Sequence, residues 1–283
     1  MRWRGRERSR NVEDRRGRGG GLAIGGGIGG IIIVVLGLLF GVDTSNIDLG
    51  GALGGSSPSG SGQAATSSEE DRKAEFVGVV LKETEDVWTK LFPEQLGKSY
   101  RKPVLVLFSG TDQSGCGTAS AATGPFYCPL DQKVYIDLSF YDQLQQQFQA
   151  PGDFAMAYVV AHEVGHHIQK QLGISDEVHN AQRSLSKREA NELSVRLELQ
   201  ADFLAGVWAH HAQKMKNILE PGDMEEALGA ANAIGDDRLQ KQSQGHVVPD
   251  AFTHGTSQQR MHWFKKGYDT GDIKQGDTFN STL

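Results

Sequence analysis

Residues 162–167, which read His-Glu-Val-Gly-His-His, limit the possible structures of this chain more than any other stretch. On an α-helix, residues four apart lie on one face, so the imidazoles of His162 and His166 can hold one metal ion. Glu163 lies beside them and can accept a proton from water at the metal. His167 is turned roughly 140° from His162 by the 3.6-residue period, so it cannot replace His166.

An apolar run, residues 154–161, leads into this motif and predicts a buried helix. Burying two histidines and a glutamate costs free energy unless these groups find partners, and a metal ion is such a partner. The alternative is a pair of core histidines satisfied by hydrogen bonds, which the pattern and its context disfavour. Because His-Glu-x-x-His is the spacing of zinc-dependent hydrolases, the sequence predicts bound Zn²⁺.

A catalytic zinc needs a third protein ligand and keeps one position open for water. The metzincin arrangement would place glycine at 169 and histidine at 172, and this chain has Gln169 and Leu172. We predict Glu198 instead, on a helix running from about Arg188 to Lys216. Three further side chains remain as alternative ligands: Glu192, His210 and His211.

Two other charged residues are predicted to support the metal ligands. Asp202 lies one helical turn after Glu198 and can accept a hydrogen bond from a ligand histidine, which fixes its tautomer. Arg260 can pair with a buried carboxylate such as Asp202.

His254 precedes a turn that Thr256 or Ser257 can cap, and it can stabilise the oxyanion of a reacting carbonyl. The alternative for His254 is an exposed histidine beside a helix cap.

The N-terminal region predicts a membrane anchor. Residues 1–20 contain eight arginines and form an arginine-rich tail, and residues 21–42 are uncharged and long enough to span a bilayer. The positive-inside rule places the tail in the cytoplasm and the rest of the chain outside it. A cleaved signal peptide is the alternative, and the length of the run disfavours it. Small-xxx-small spacing would let two such helices pack as a homodimer, through Gly25, Gly26, Gly29 and Gly30.

The remainder divides into a linker and one domain. Residues 43–70 are rich in glycine and serine and predict a flexible tether. Residues 71–283 are long enough to bury a core, and we expect a mostly helical α+β domain with a small sheet. The formal net charge of −6 gives no support for a nucleic-acid partner.

Two short runs in the first half of the domain predict strands. Residues 103–108 are apolar and read as a buried strand, and residues 133–138 alternate and could form the sheet edge beside the metal. An extended peptide could pair with such an edge and lie across the zinc. Cys116 and Cys128 lie between the two strands, and outside the cytoplasm they can form a disulfide. A cysteine metal site is the alternative.

Several blocks of the chain together resemble the putative neutral zinc metallopeptidase family of bacterial membrane-anchored proteins. The matching blocks lie at residues 114–117, 124–129, 134–138, 161–167, 198–202 and 253–257. The family is similar to gluzincin peptidases, with which it shares the His-Glu-x-x-His helix and a downstream Glu-x-x-x-Asp helix. The resemblance therefore implies a zincin-like domain behind one N-terminal transmembrane helix.

The resulting expectation is a single-pass membrane metallopeptidase that cleaves peptides or proteins outside the cytoplasm. Zinc would be held by His162, His166 and Glu198, and Glu163 would move the proton. Two other functions stay open: a zinc-bound envelope module that only binds its partners, and a zinc amidase acting on cell-wall peptides. An intact Glu163 weighs against the first, because binding alone needs no general base.

Overall fold

The computed structural model describes residues 1–17 and 68–282. The strands are β1 (Val12–Asp14), β2 (Val104–Phe108), β3 (Thr111–Ser114), β4 (Gly117–Ser120), β5 (Phe126–Cys128) and β6 (Lys133–Asp137). The helices are α1 (Ser68–Leu91), α2 (Phe140–Gln146), α3 (Asp153–Leu172), α4 (Ile174–Gln182), α5 (Lys187–Lys216), α6 (Asp223–Ala233), α7 (Asp236–Gln244) and α8 (Ser257–Thr270). The described part is therefore α+β with a small sheet, as predicted.

The main sheet has the strand order β1-β2-β6-β5. Strand β2 is parallel to both β1 and β6, and β5 runs antiparallel to β6. The apolar side chains of β2 and β6 are almost all buried, as expected for central strands covered on both faces. Strands β3 and β4 form a separate hairpin.

The strand at residues 133–138 is not the sheet edge that the sequence predicts. Strand β6 lies between β2 and β5 and pairs with both of them. Among the described strands, β5 is the edge on that side of the sheet. Strand β5 has three residues, which is too short to show an alternating pattern. Its position at the edge of the sheet, beyond β6, could therefore not be predicted from the sequence.

The helices pack around α3, which is buried from Phe154 to Gln169. Helix α5 packs against α3 on one side and against α8 on another. At the α5–α8 crossing, a Cβ on Gly206 would lie 2.0 Å from the carbonyl oxygen of Phe264. A Cβ on Gly267 would lie equally close to the carbonyl oxygen of Phe203. Only glycine permits this backbone approach, which fixes α8 against α5.

The predicted membrane anchor lies outside the described residues, as do the flexible tether up to residue 67 and the glycines of the predicted dimer motif. Within residues 1–17 and 68–282, the structure contains no helix both long and apolar enough to cross a bilayer. The anchor at residues 21–42 and the homodimer therefore stay predictions.

The first residues of the chain are part of the domain, whereas the sequence predicts a separate tail. Strand β1 pairs in parallel with β2, with Val12 opposite Leu105. Trp3 is buried, its ring meets Phe76 edge-on at 5.3 Å, and its indole N–H donates to Asp153 Oδ2 at 2.8 Å. Because Asp153 is the first residue of α3, this segment contacts the start of the helix that carries the metal motif.

We expect Trp3→Ala to destabilise the full-length protein by roughly 3 kcal/mol, because the substitution empties a buried aromatic site and removes a hydrogen bond. Arg10→Ala, seven residues on at an exposed position, should change the free energy of unfolding by less than about 0.5 kcal/mol. Urea denaturation of both variants checks this. Equal stabilities for the two variants would mean that the N-terminal segment does not contribute to the fold.

Candidate metal centre

Two crossing helices bring the predicted ligands together. His162 and His166 project from α3, and Glu198 projects from α5. The helices approach closely because Gly165 faces Ala201: a Cβ at Gly165 would lie 3.0 Å from the Ala201 carbonyl oxygen. A larger residue at position 165 would push α5 away and carry Glu198 with it. The glycine within the motif therefore sets the distance between the ligand helices.

Ligand atoms of three residues converge on one point. His162 Nε2 lies 3.1 Å from Glu198 Oε2 and 3.1 Å from His166 Nε2, and His166 Nε2 lies 3.4 Å from Glu198 Oε1. In a tetrahedral zinc site with bonds of about 2.0–2.1 Å, neighbouring ligand atoms lie roughly 3.3 Å apart. His162, His166 and Glu198 form a buried group able to hold a metal ion.

The tautomers of both histidines leave lone pairs facing this point. His162 Nδ1 lies 2.8 Å from Asp202 Oδ1, so the carboxylate accepts the Nδ1 proton. His166 Nδ1 lies 2.9 Å from Gln169 Oε1, while the Gln169 amide nitrogen donates to the Leu197 carbonyl oxygen. With the Nδ1 protons held in these bonds, the neutral form of each histidine turns its Nε2 lone pair toward the other histidine and toward the Glu198 carboxylate. Such a set of electron-pair donors requires a cation, so the residues present fit a zinc ion.

The charge balance of the site agrees with a divalent cation. Three buried carboxylates, those of Glu163, Glu198 and Asp202, are accompanied by one buried guanidinium, that of Arg260. With these groups ionised and with His162 and His166 neutral, as metal binding requires, the carboxylates exceed the guanidinium by two negative charges. Burying this excess is costly unless a cation offsets it.

Asp202 is the centre of a hydrogen-bond network behind the ligands. Arg260 donates from Nε to Asp202 Oδ2 at 2.8 Å and from Nη2 to Oδ1 at 3.0 Å. The hydroxyl of Tyr158 donates to Asp202 Oδ1 at 2.5 Å. The predicted pairing of Arg260 with Asp202 is therefore present in the structure. Tyr158 was not identified from the sequence, although it lies one helical turn before His162 on the same face of α3.

The pKa values of this network follow from its contacts. Burial would raise the pKa of Asp202, but Arg260 and His162 outweigh it and hold the pKa at about 2. Burial would lower the pKa of His162, but the carboxylates of Asp202 and Glu198 raise it to about 10. The position of His162 therefore attracts positive charge, which a metal ion would supply in place of the proton.

Glu163 lies beside the ligand residues without being one of them. Its side chain belongs to the same buried cluster and is 8 % exposed, but it is not among the three converging ligand residues. Burial raises the pKa of its carboxyl group, while His162, His166 and the backbone N–H of Tyr127 act in the opposite direction. A carboxyl with a raised pKa is a better proton acceptor than an exposed one.

His254 lines the same cavity as the ligands. Its Nδ1 lies 3.3 Å from Asp236 Oδ1, and the other oxygen of Asp236 accepts backbone N–H bonds from Thr253, His254 and Gly255. Thr256 caps α8 in a capping box with Gln259, as the sequence predicts. Burial lowers the pKa of His254, but Glu198 and Asp236 outweigh it, so the pKa is raised. Asp236, which fixes this loop, was not identified from the sequence.

The alternative ligands lie elsewhere. His210 and His211 lie at the other end of α5 from the histidine motif. His210 is hydrogen-bonded to the carbonyl oxygen of Tyr268, and His211 is hydrogen-bonded to the carbonyl oxygen of Gly271. Glu192 is exposed and lies beside Arg188 on the same helix. Of the four candidates for the third ligand, only Glu198 lies beside the histidines.

Two cavities flank the ligand group, and β5 runs past both. A cavity of about 130 Å³ is lined by His162, Glu163, His254 and the Gly124–Phe126 segment. Its remaining wall is largely apolar and includes Phe140, Phe148, Val159, Ile234 and Leu239. A second cavity of about 310 Å³ is lined by His166, Glu198 and the Tyr127–Leu130 region. The two cavities meet at the ligand group, so an extended ligand along β5 would pass across it.

The predicted disulfide is present and supports β5. Cys128, the last residue of this strand, is bonded to Cys116 in the β3–β4 turn. The bond therefore ties the edge strand beside the ligands to the neighbouring hairpin. A pairing of this kind is typical of proteins in oxidising compartments.

Comparisons with known proteins agree with the geometry. A family model described as putative neutral zinc metallopeptidase matches residues 1–279. The chain is 51% identical to uncharacterized protein YpfJ of Escherichia coli strain K12 across the full length of both. It is also 44% identical to uncharacterized protein Rv2575 of Mycobacterium tuberculosis, over 69% of this chain and 67% of that one. No solved structure matches the chain.

Proposed function

The chain belongs to the putative neutral zinc metallopeptidase family, and we propose that it hydrolyses peptide bonds with a zinc ion held by His162, His166 and Glu198. The observation that carries the proposal is the convergence of ligand atoms from three buried residues on one point. Their separations suit tetrahedral zinc, and Glu163 lies beside them.

Each residue around the zinc position has its own role in the proposed reaction. Zinc bound there would polarise the scissile carbonyl and make an attacking water more acidic. Glu163 takes the proton of that water and passes it to the leaving amine. His254, whose raised pKa favours the imidazolium, donates a hydrogen bond to the developing oxyanion. Asp202 and Arg260 hold His162 in its ligating tautomer.

The peptide would lie along β5 rather than along β6. As the outer strand on this side of the described sheet, β5 offers backbone groups to an extended chain, and it lies between the two cavities. The mostly apolar wall of the smaller cavity suits a bulky apolar side chain next to the scissile bond. Unlike β6, β5 pairs with only one other strand within the described residues.

The domain is proposed to act outside the cytoplasm. Cys116 and Cys128 form a disulfide, and such bonds persist in oxidising compartments. A membrane attachment through residues 21–42 stays part of the proposal, on the evidence of the uncharged run in the sequence.

The first test compares two glutamates of α5. Wild-type protein should purify with about one zinc per chain and cleave members of a mixed peptide library, read by mass spectrometry. Glu198→Ala should lose both the metal and the cleavage, whereas Glu192→Ala, at the exposed position, should keep both. A chelator should abolish cleavage by the wild type, and added zinc should restore it.

The outcomes separate the possible functions. Wild-type protein without zinc would overturn the metal site and the mechanism with it. Zinc in the wild type without cleavage of any library peptide would overturn general peptidase activity. In that case, zinc-dependent release of products from cell-wall peptides would identify an amidase, and its absence would leave a binding module.

A further inference from the structure

Residues 1–17 and the domain at 68–282 form one folded unit, although a long uncharged run separates them in the sequence. We propose that both lie on the same side of any membrane that the intervening residues enter. Residues 18–67 then cannot cross that membrane just once. A single crossing would place the N-terminal segment and the domain in different compartments.

The backbone of the N-terminal segment is bonded to the domain at several points. The amide of Leu105 donates to the Asn11 carbonyl oxygen at 2.9 Å, and the amide of Arg15 donates to the Leu107 carbonyl oxygen at 2.8 Å. The amide of Ser9 donates to the carbonyl oxygen of Gly78 in α1 at 2.9 Å. These bonds continue the main sheet by one strand and attach the segment to α1 as well.

Buried carboxylates of α1 depend on the segment for their partners. Glu85 is 1 % exposed, and its Oε1 accepts from Ser9 Oγ at 2.6 Å and from Asn11 Nδ2 at 2.7 Å. Glu83 is 2 % exposed, and its Oε1 lies 3.3 Å from Arg6 Nη1. Without residues 1–17, these carboxylates would lose part of the hydrogen bonding that offsets the cost of their burial. The domain is therefore built to receive this segment.

The two ends of the intervening stretch meet on the domain. Arg16 Nη2 lies 3.1 Å from Asp71 Oδ1, so the chain leaves after Gly17 and returns at Ser68 close to the same place. A helix crossing the bilayer once would separate its two ends by roughly 30 Å of hydrocarbon. The contact between Arg16 and Asp71 is therefore hard to reconcile with a single crossing between them.

The arginines of the segment have a structural explanation apart from membrane orientation. Arg6 pairs with Glu83, Arg15 with Asp112, and Arg16 with Asp71. The positive-inside rule counts such arginines as a cytoplasmic signal. In the folded structure these three side chains are bonded to the domain, so ion pairing gives them a role that does not involve the membrane. With the Cys116–Cys128 disulfide, the common compartment of the two parts is the oxidising one.

Cysteine labelling of the full-length chain in intact bacterial cells tests the proposal. Arg10→Cys reports on the N-terminal segment and Ser184→Cys on the domain, and both positions are exposed. A maleimide that cannot cross the cytoplasmic membrane should label the two thiols to the same extent. Labelling after permeabilisation serves as the control that both thiols react.

Each outcome decides the question. Labelling of both thiols to the same extent in intact cells supports one shared compartment outside the cytoplasm. Protection of both thiols until permeabilisation would overturn the assignment of that compartment as the oxidising one. Labelling of Ser184→Cys alone, with Arg10→Cys reacting only after permeabilisation, would establish a single crossing and overturn the proposal. Because neither position lies near the zinc ligands, this result is independent of whether the protein proves to be a peptidase.

Discussion

Glu163→Gln is expected to lower the kcat of peptide cleavage by a factor of about 10² to 10⁴ while the protein keeps its zinc. The amide has the size of the carboxyl group but cannot take a proton from water. The metal should remain because Glu163 is not among the three converging ligand residues. The measurement is kcat on a peptide found by the library screen, with zinc determined in the same samples.

Glu192→Gln is the matched control, since it makes the same chemical change at an exposed position of α5. Its kcat and zinc content should equal those of the wild type. Full activity in Glu163→Gln would remove this residue from the mechanism. Loss of zinc from Glu163→Gln would show that the buried carboxylate is needed for metal binding, and the effect on kcat would then not report on proton transfer.

The geometry of the ligands was predictable because it depends on helix periodicity. Residues four apart share a face of a helix, so the spacings of His162 with His166 and of Glu198 with Asp202 each define a pair. The apolar run before His162 showed that the first helix would be buried. The periodicity could not predict that the two ligand helices pack against each other. In the structure they do so where Gly165 faces Ala201. The same rule, applied one turn earlier, would have identified Tyr158.

The sheet was less predictable, because strand order depends on pairing between distant parts of the chain. Strand β5 has three residues and carries no alternation, so the longer β6 was mistaken for the edge. The N-terminal strand was missed for a related reason. Val12 pairs with Leu105, and no local pattern reports such a contact. The arginines around Val12 fit the positive-inside rule, and only the folded structure reveals that Arg15 and Arg16 also form ion pairs with the domain.

The other large effect is expected at Asp202, where several buried donors converge. Asp202→Asn removes the charge that pairs with Arg260 and replaces the carboxylate that accepts the Nδ1 proton of His162 by a neutral and weaker acceptor. A buried guanidinium left without its partner costs about 3–5 kcal/mol of stability. Loss of the contact that orients a ligand histidine weakens metal binding by roughly 10–100-fold. Urea denaturation measures the first effect, and competition with a zinc chelator measures the second.

The double variant Asp202→Asn/Arg260→Met separates these two effects. Methionine fills much of the space of Arg260 without a charge, so the double variant should recover most of the stability lost in Asp202→Asn. Zinc affinity should stay low, because His162 still lacks a carboxylate acceptor for its Nδ1 proton. Recovery of zinc affinity together with stability would mean that Asp202 supports the site only by neutralising Arg260. A stable double variant that binds zinc weakly would show that Asp202 acts on the metal through the tautomer of His162.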